Sequence, residues 1–250
     1  MLCRLFKGCI GMNRGAVVIP ARYKSTRFPG KPLAIIHGKP MIYHVYQACV
    51  ESVGKDLVYI ATDSNLIKKE AELFDANVIM TSEKCLTGTD RLAEVNKVLD
   101  LDFLINVQGD EPMISPKHIH EIFDHMTNDS SSVLCCYCDI DDDEKESPTV
   151  PKVVVSNSSK LLYMSRGGIP YDKNLLSNAR YKQVCIYGFS RDHLKFYSSQ
   201  NEKSSNELFE DLEILRFLDF DIPVQMVKVS AGSYAVDTPE DLIRIKELMK

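Results

Sequence analysis

The sequence predicts an α/β protein in which a largely parallel β-sheet is covered on both faces by helices. From residue 16 onward, short β-branched runs alternate with segments whose apolar residues recur at helical spacing, a pattern typical of parallel sheets. The chain has 250 residues, of which 44% are hydrophobic, and these can fill one sizeable core or at most two small ones. We therefore expect one α/β domain over residues 16–250 that carries an insertion, preceded by a loose extension over residues 1–15.

Strands and helices alternate through the first half of the chain. Strands are predicted where short apolar runs are bounded by polar or turn-forming residues, at Ala16–Pro20, Leu57–Thr62, Asn77–Met80, Phe103–Val107 and Val133–Cys138. Helices are predicted where apolar residues recur three and four positions apart, at Met41–Ser52, Asn65–Phe74, Asp90–Leu99 and Pro116–Met126. A long loop rich in Gly, Pro and Lys separates the first strand from the first helix.

The pattern changes after residue 138, and we expect residues 139–222 to form the insertion. The acidic stretch Asp139–Glu146, with Pro148–Pro151, predicts an exposed loop. A hairpin is predicted from Lys152–Ser156 and Leu161–Ser165. The remaining elements are strands at Tyr181–Phe189 and Val224–Val229, and helices at Asp192–Ser199, Phe209–Leu218 and Pro239–Met249, the last opened by Thr238 and Pro239.

Charge and hydropathy exclude two classes of partner. Lys and Arg number 30 against 35 Asp and Glu, a formal net charge of -5, so the global basic excess of nucleic-acid binders is absent. No apolar run approaches the roughly 20 residues that a membrane span needs. The 8 cysteines are scattered through a chain far longer than the small scaffolds that depend on disulfides. We expect a soluble protein of the reducing cytoplasm that binds neither nucleic acid nor membrane.

A basic loop follows the first predicted strand. Between Pro20 and Pro32 it contains Arg22, Arg27 and Lys31 together with a further lysine. Ligands of α/β sheets bind at the carboxyl ends of the strands, and these cations could converge there on a polyphosphate. The alternative is a solvated basic loop, and neither a Walker A sequence nor a G-x-G-x-x-G sequence occurs.

Two aspartates are expected at the same sheet edge. Asp110 directly follows the apolar run Phe103–Val107, and Asp237 follows the last predicted strand and precedes the final helix. As a pair they would suit Mg²⁺, which typically takes one or two carboxylates, waters and substrate phosphate oxygens. The alternative for Asp237 alone is a simple helix N-cap.

Several separated motifs carry a family resemblance. They are PARYKSTRFPGKP (20–32), GKPMI (38–42), GTDRLAE (88–94), NVQGDEP (106–112), Ser165-Arg166 with Ile169-Pro170, IYG (186–188), Leu212-Glu213 with Leu215-Arg216, and VDTPED (236–241). In this order they resemble bacterial 3-deoxy-manno-octulosonate cytidylyltransferases, the CMP-Kdo synthetases. The resemblance runs from about residue 16 to the C-terminus.

The resemblance implies a Rossmann-like, GT-A-like nucleotidyltransferase domain, a three-layer sandwich with an inserted antiparallel dimerisation segment. It further implies a homodimer that uses Mg²⁺ to transfer CMP from CTP to an acidic sugar of lipopolysaccharide, with release of pyrophosphate. Its catalytic residues would be Arg22, Lys31, Asp110 and Asp237, the two aspartates as metal ligands. It assigns Arg22, Arg27, Lys31, Gly88, Thr89 and Gln108 to the nucleotide, and Gln108, Arg166, Gln183, Tyr187 and Glu213 to the sugar.

Two positions depart from the family pattern. Gln183 stands where the family usually has His, and Ile214 stands where it has Gln; both family residues are expected to reach the sugar. The departures fit either a modified octulosonate or nonulosonate as substrate, or neutral change around the same sugar. A sialic-acid-type enzyme is disfavoured because its basic loop differs, and a silent nucleotide-binding protein is disfavoured because Arg22, Lys31, Asp110 and Asp237 are all present.

Other reactive residues are interpreted as structural. Cys135, Cys136 and Cys138 lie in one predicted strand, where neighbours point to opposite faces, so we expect buried thiols rather than a metal cluster. His118 and His120 would lie on different sides of a helix. No G-x-S-x-G nucleophile sequence occurs.

Overall fold

A nine-stranded β-sheet forms the centre of the structure, a computed structural model that describes residues 13–24, 28–171 and 180–250. In chain order the strands are β1 (Gly15–Ala21), β2 (Ile35–Ile36), β3 (Lys39–Pro40), β4 (Val58–Thr62), β5 (Asn77–Met80), β6 (Phe103–Val107), β7 (Val133–Asp139), β8 (Lys152–Val155), β9 (Leu161–Ser165), β10 (Tyr181–Ser190) and β11 (Val224–Lys228). The helices are α1 (Met41–Val53), α2 (Asn65–Glu72), α3 (Gly88–Leu99), α4 (Pro116–Asn128), α5 (Arg191–Ser199), α6 (Ser205–Glu210), α7 (Leu215–Asp219) and α8 (Pro239–Leu248).

Along its main path of seven strands, the sheet is parallel except at one central strand. Its order is β11-β7-β10-β6-β1-β4-β5, and only β10 runs antiparallel to its neighbours, β6 and β7. The hairpin β8–β9 joins β10 at the side of this path, and β2 with β3 forms a separate two-stranded sheet. The segment 139–222, expected as an insertion, thus supplies a central strand of the main sheet.

Helices cover both faces of the sheet, as the strand and helix alternation predicted. Along β1, Val17 and Ile19 join the hydrophobic cluster under α1 and α4, whereas Ala16 and Val18 join the cluster under α3 and α5. Successive side chains of a strand point to opposite faces, so a strand buried on both faces reads as an uninterrupted apolar run. The three-layer α/β prediction is confirmed.

Two helix starts at the edge of the sheet carry complete capping boxes. Thr87 and Asp90 cap α3, which begins at Gly88, two residues before the predicted start. Thr238 and Asp241 cap α8, with Pro239 in its first turn, as predicted. Each cap satisfies backbone N–H groups that a helix start leaves unpaired, and so fixes the place where the chain turns into the helix.

The predicted single helix Phe209–Leu218 is wrong. Helix α6 ends at Glu210 because Asp211 adopts a left-handed conformation with φ of 51°, and α7 starts only at Leu215. A left-handed residue stops a right-handed helix. The four residues between the helices include Glu213, which therefore projects from a turn rather than from a helix.

Three further segments refine the sequence predictions. The acidic stretch is not wholly exposed, because Glu144 is buried in an ion pair with Lys182. Of residues 1–15 only 13–15 lie within the described ranges, and there Gly15 opens β1 while Arg14 pairs with Asp102 at 3.4 Å. No helix within the described ranges is long and apolar enough to cross a membrane.

Candidate active site

A cavity of about 700 Å³ opens where β1 and β6 end. Pro20 and Ala21 come from the end of β1, Gln108 and Asp110 follow β6, and Gly88 opens α3. This is the sheet edge at which α/β proteins generally bind ligands. The sequence-predicted site residues Arg22, Lys31, Gly88, Gln108, Asp110, Arg166, Gln183, Tyr187, Glu213 and Asp237 line the cavity. Thr89, also predicted, is fully buried in the first turn of α3 and is not among the described lining residues.

Lys31 joins the two predicted metal ligands. Its Nζ lies 2.6 Å from Asp110 Oδ2 and 3.2 Å from Asp237 Oδ1, although the aspartates are far apart in sequence. A backbone hydrogen bond of 2.9 Å from Val236 N to Asp110 O ties the two carboxylate-bearing segments together. The structure therefore brings together the cation and both carboxylates that the sequence proposed separately.

Lys31 is not part of a solvated basic loop. Its side chain is only 13% exposed. Burial lowers the pKa of Lys31, but Asp110 and Asp237 raise it more, so the pKa lies above its ordinary value and the ammonium stays charged. Gly30, with φ of 70°, makes the turn that aims Lys31 inward. In contrast Lys24, in the same loop, is 84% exposed and pairs with Glu83.

Asp237 is not the N-cap of α8, since that position belongs to Thr238. The Asp237 carboxylate instead faces Lys31 and the cavity, as does that of Asp110. Two partly exposed carboxylates converging on one point form a donor set that a hard divalent cation such as Mg²⁺ accepts. The residues present thus fit a divalent ion that completes its shell with substrate oxygens.

Glu213 links the start of α3 to the end of β6. Its carboxylate accepts hydrogen bonds from Thr89 N at 2.9 Å and from Gln108 Nε2 at 2.7 Å. Burial raises the pKa of Glu213, and the hydrogen bonds from Thr89 partly offset this rise. Gly88 packs so closely on β1 that a Cβ there would lie 3.2 Å from Pro20 Cγ. A larger side chain would narrow the floor of the cavity at this point.

Two arginines stand at the mouth of the cavity. Arg22 is exposed and follows β1 directly. Arg166 is held by α6, because its backbone N and Nε donate to Glu210 Oε2 at 2.9 Å and Glu210 O at 2.7 Å. Arg27, the third predicted phosphate ligand, lies outside the described residues.

The two departures from the family pattern occupy different environments. Gln183 lines the cavity and donates from Nε2 to the hydroxyl of Tyr187. Ile214 is 0% exposed and belongs to the hydrophobic core, not to the described residues around the cavity. The expectation that position 214 reaches a sugar is therefore wrong, because the side chain points into the core next to Glu213.

Sequence reasoning missed several charged residues of the cavity wall, among them Glu111, Lys182 and Glu144. Glu111 is 4% exposed, and burial, aided by the charge of Asp110, raises its pKa to about 7. Its position directly after Asp110 was the available signal. Lys182 and Glu144 form a buried ion pair across 38 positions of sequence, a separation at which no local pattern could have revealed the pair.

The expected burial of the three cysteines is confirmed. Cys135, Cys136 and Cys138 are buried free thiols of β7, and burial raises the pKa of each. His118 contacts Ser230 Oγ at 3.0 Å, whereas His120 lies on another side of α4 and contacts Ser52 O at 3.0 Å.

Comparison with known sequences finds cytidylyltransferases. The family model described as "Cytidylyltransferase" matches residues 16–225. The 3-deoxy-manno-octulosonate cytidylyltransferase of Escherichia coli is 41% identical over 240 residues, covering 95% of this chain and 97% of the relative. The 8-amino-3,8-dideoxy-manno-octulosonate cytidylyltransferase of Shewanella amazonensis is 36% identical, covering 94% of this chain and 98% of the relative.

Comparison with solved structures agrees. A CMP:2-keto-3-deoxy-manno-octonic acid synthetase complexed with CTP superimposes with a TM-score of 0.86 at 39% identity, covering 94% of this chain and 98% of that one. The 4-diphosphocytidyl-2C-methyl-D-erythritol synthase of Anaerococcus prevotii has a TM-score of 0.62 at 14% identity, covering 95% and 96%. The second likeness concerns the fold alone.

Proposed function

Because the chain belongs to the cytidylyltransferase family, we propose that it transfers CMP from CTP to the anomeric hydroxyl of 3-deoxy-manno-octulosonate and releases pyrophosphate. The activated sugar would serve lipopolysaccharide biosynthesis. One observation carries the proposal: Lys31 lies between Asp110 and Asp237 at the edge of the sheet, within the same cavity as Gly88 at the start of α3. The cation proposed to bind the phosphates and the segment proposed to bind the nucleoside therefore line the same cavity.

Binding of CTP in this account uses the cations of the first loop. Arg22, Arg27 and Lys31 bind the triphosphate, and the segment Gly88-Thr89, with Gln108, lies beside the nucleoside. Lys31, already charged and held in place, can move from carboxylate to phosphate oxygens over a short distance. Preorganised cations of this kind stabilise negative charge that develops on the leaving pyrophosphate.

The reaction needs no nucleophile from the protein. The sugar's anomeric hydroxyl attacks the α-phosphorus, a new oxygen–phosphorus bond forms, and the bond to the bridging oxygen of pyrophosphate breaks. The hydroxyl proton leaves to solvent or to a nearby carboxylate. The residues of the cavity therefore act by positioning the two substrates and by neutralising charge, which is the main requirement of such transfers.

We assign Mg²⁺ to Asp110 and Asp237. Their converging, partly exposed carboxylates support this assignment, since Mg²⁺ usually binds one or two carboxylates and substrate phosphate oxygens. When bound, the ion would withdraw charge from the phosphates and hold them in a reactive orientation. Asp110 and Asp237 would hold the ion, and Lys31 would limit their mutual repulsion while the site is free.

The sugar is assigned to Gln108, Arg166, Gln183, Tyr187 and Glu213, all of which line the cavity. Arg166 supplies a charge for the sugar carboxylate, and the others supply hydrogen bonds to hydroxyls. An 8-amino-3,8-dideoxy sugar is the second candidate substrate. It is motivated by Gln183, which lines the cavity at a position where the resemblance implies His, and by relatives with that printed activity at 36% identity, against 41% for the plain-sugar relative from Escherichia coli.

We further propose a cytoplasmic homodimer. The hairpin β8–β9 and helix α6 present exposed apolar side chains, among them Leu162, Leu208 and Phe209, which is 88% exposed. The hairpin and α6 are neighbours, since Ser165 Oγ donates to Glu210 Oε1 at 2.6 Å, and exposed large apolar groups can mark an interface. A second copy would cover them across a two-fold axis. Free buried thiols fit a reducing compartment.

A panel of substrates tests the function. Purified protein with Mg²⁺ is given CTP, UTP, ATP or GTP together with 3-deoxy-manno-octulosonate, its 8-amino analogue or a sialic acid, and pyrophosphate release is measured. We expect CTP with one of the two octulosonates to be the fastest pair. Turnover with no pair would refute the proposal, and turnover confined to the sialic acid would refute the choice of acceptor.

A further inference from the structure

Arg216 is fully buried outside the cavity and holds several helices together. Its guanidinium donates to both carboxylate oxygens of Glu207, from Nε at 2.6 Å and from Nη2 at 2.7 Å. It lies 3.7 Å from the centre of the Tyr197 ring, and Nη1 donates to Tyr197 O at 3.2 Å. Nη1 also lies 3.4 Å from Asp90 Oδ1. Arg216 of α7 thus contacts α3, α5 and α6.

Asp90, on which this network ends, is part of the cap of α3. Its Oδ2 accepts from Thr87 N and from Thr87 Oγ1, each at 2.9 Å, and Thr87 Oγ1 accepts from Asp90 N at 3.1 Å. Thr87 and Gly88 line the cavity at the place assigned to the nucleoside. The position of Asp90 therefore sets the position of the amino end of α3.

Tyr197 connects the same cap to the segment that carries Glu213. Its hydroxyl lies 3.2 Å from Thr87 Oγ1, 3.0 Å from Glu207 Oε1 and 3.4 Å from Glu213 O. Glu213, which lines the cavity, in turn accepts from Thr89 N. The α3 start and the Glu213 turn are thus joined twice, once through Glu213 in the cavity and once through Tyr197 behind it.

We propose that Arg216 and Tyr197 are positioning residues, which fix the amino end of α3 against the Glu213 turn and thereby set the affinity for CTP. Neither residue lines the cavity in the described part of the chain, so neither needs to touch a substrate. The inference rests on the proposed function, because it takes the Gly88 side of the cavity as the nucleoside site. Arginine suits the role, since its planar fork makes two parallel bonds to one carboxylate while its other nitrogen reaches a second.

Loss of either positioning residue is expected to weaken contacts to the nucleoside, and this predicts which kinetic constant changes. The nucleoside does not change during phosphoryl transfer, so contacts to it are equally strong before and in the transition state. Loss of such uniform binding raises KM with little change in kcat. A residue that only stabilised the fold would lower the melting temperature and leave both constants unchanged below it.

Two variants test the proposal without abolishing the fold. Tyr197→Phe keeps the ring under Arg216 and removes only the hydroxyl, and Arg216→Lys keeps the charge but loses the fork. The matched control is Met126→Ala, a buried change in α4 on the other face of the sheet. For each protein we would measure the melting temperature, the CTP dissociation constant by calorimetry, and KM and kcat for CTP with the sugar saturating.

We expect both variants to raise the CTP dissociation constant and KM at least about fivefold, with kcat within about twofold of wild type. Met126→Ala should lower the melting temperature and leave CTP binding as in wild type. Unchanged CTP binding in Tyr197→Phe and Arg216→Lys would overturn the proposal. An equal loss of CTP affinity in Met126→Ala would also overturn it. If wild type binds CTP but transfers nothing, the proposed function fails while calorimetry still decides the positioning role.

Discussion

Lys31 Nζ lies 2.6 Å from Asp110 Oδ2, and this contact joins the loop after β1 to the turn after β6. The same nitrogen lies 3.2 Å from Asp237 Oδ1, so one cation faces two carboxylates. Two such carboxylates without a cation between them would repel each other, and a cation without them would be poorly placed for phosphate. The arrangement holds Lys31 charged and oriented before CTP arrives.

Replacement of Lys31 is expected to impair use of CTP. Lys31→Ala should lower kcat/KM for CTP by about 100-fold, because a preorganised donor beside developing charge typically contributes that much. Steady-state assays of pyrophosphate release at varied CTP concentration would measure it. Lys24→Ala is the matched control, since Lys24 lies in the same loop but is exposed and paired with Glu83. An unchanged kcat/KM in Lys31→Ala would show that Lys31 does not stabilise the phosphates of CTP.

Replacement of either aspartate is expected to abolish most of the turnover. The turnover that remains should no longer rise with added Mg²⁺. Asp110→Asn and Asp237→Asn each remove a charged oxygen ligand while keeping the shape of the side chain. Turnover would be followed across a Mg²⁺ titration, with melting temperatures as a check on the fold. Glu240→Gln, an exposed change in the first turn of α8, should behave as wild type. Full turnover of both aspartate variants at limiting Mg²⁺ would contradict the metal assignment.

Elements that depend on local pattern were predictable from the sequence, and elements that depend on distant contacts were not. The strands β1, β4 and β6 are buried on both faces and read directly as apolar runs. The helix predicted over Phe209–Leu218 failed because Asp211 adopts a left-handed conformation, which residue type alone does not reveal. The central place of β10 was hidden for a similar reason, since its pairing with β6 and β7 joins distant segments.

The same distinction between local pattern and distant contacts applies to the residues of the candidate site. Lys31 and Asp110 follow predicted strands within a loop and a short turn, so their convergence could be expected from the parallel sheet. Glu144 was expected in an exposed loop, yet it is buried by Lys182 from a distant strand. Ile214 was expected to face a sugar, but its orientation is set by the turn between α6 and α7.

Substitution of an exposed aromatic residue should weaken the proposed dimer. Phe209→Asp places a charge on the exposed face of α6, and burial of an unpaired charge in an interface is strongly unfavourable. Light scattering at micromolar concentration should show wild type as a dimer and Phe209→Asp shifted towards monomer. Leu73→Asp, directly after α2, is the control and should remain dimeric, since Leu73 is 79% exposed and lies in a different part of the chain. A monomeric wild type would rule out the dimer.

Position 183 should control acceptor choice, whereas position 214 should not. Gln183→His places a group that can carry positive charge on the cavity wall, and we expect kcat/KM for 3-deoxy-manno-octulosonate to rise about tenfold, as one recovered polar contact of about 1–3 kcal/mol allows. Ile214→Gln buries an unpaired amide and should lower the free energy of unfolding by a similar amount without improving turnover. Both octulosonates would be compared at saturating CTP and Mg²⁺. Efficient use of the plain sugar by wild type, with no gain from Gln183→His, would show that the change at 183 is neutral.

The proposed reaction depends on attack of the sugar hydroxyl on the α-phosphorus of CTP, and the fate of the anomeric oxygen reports whether that attack occurs. Wild-type protein is incubated with CTP, Mg²⁺ and 3-deoxy-manno-octulosonate freshly labelled with ¹⁸O at the anomeric hydroxyl, and the products are analysed by mass spectrometry and phosphorus NMR. We expect a CMP-sugar that keeps the label in the oxygen bridging sugar and phosphorus, with unlabelled pyrophosphate. A CMP-sugar without the label, or no CMP-sugar from a folded protein that binds both substrates, would contradict it.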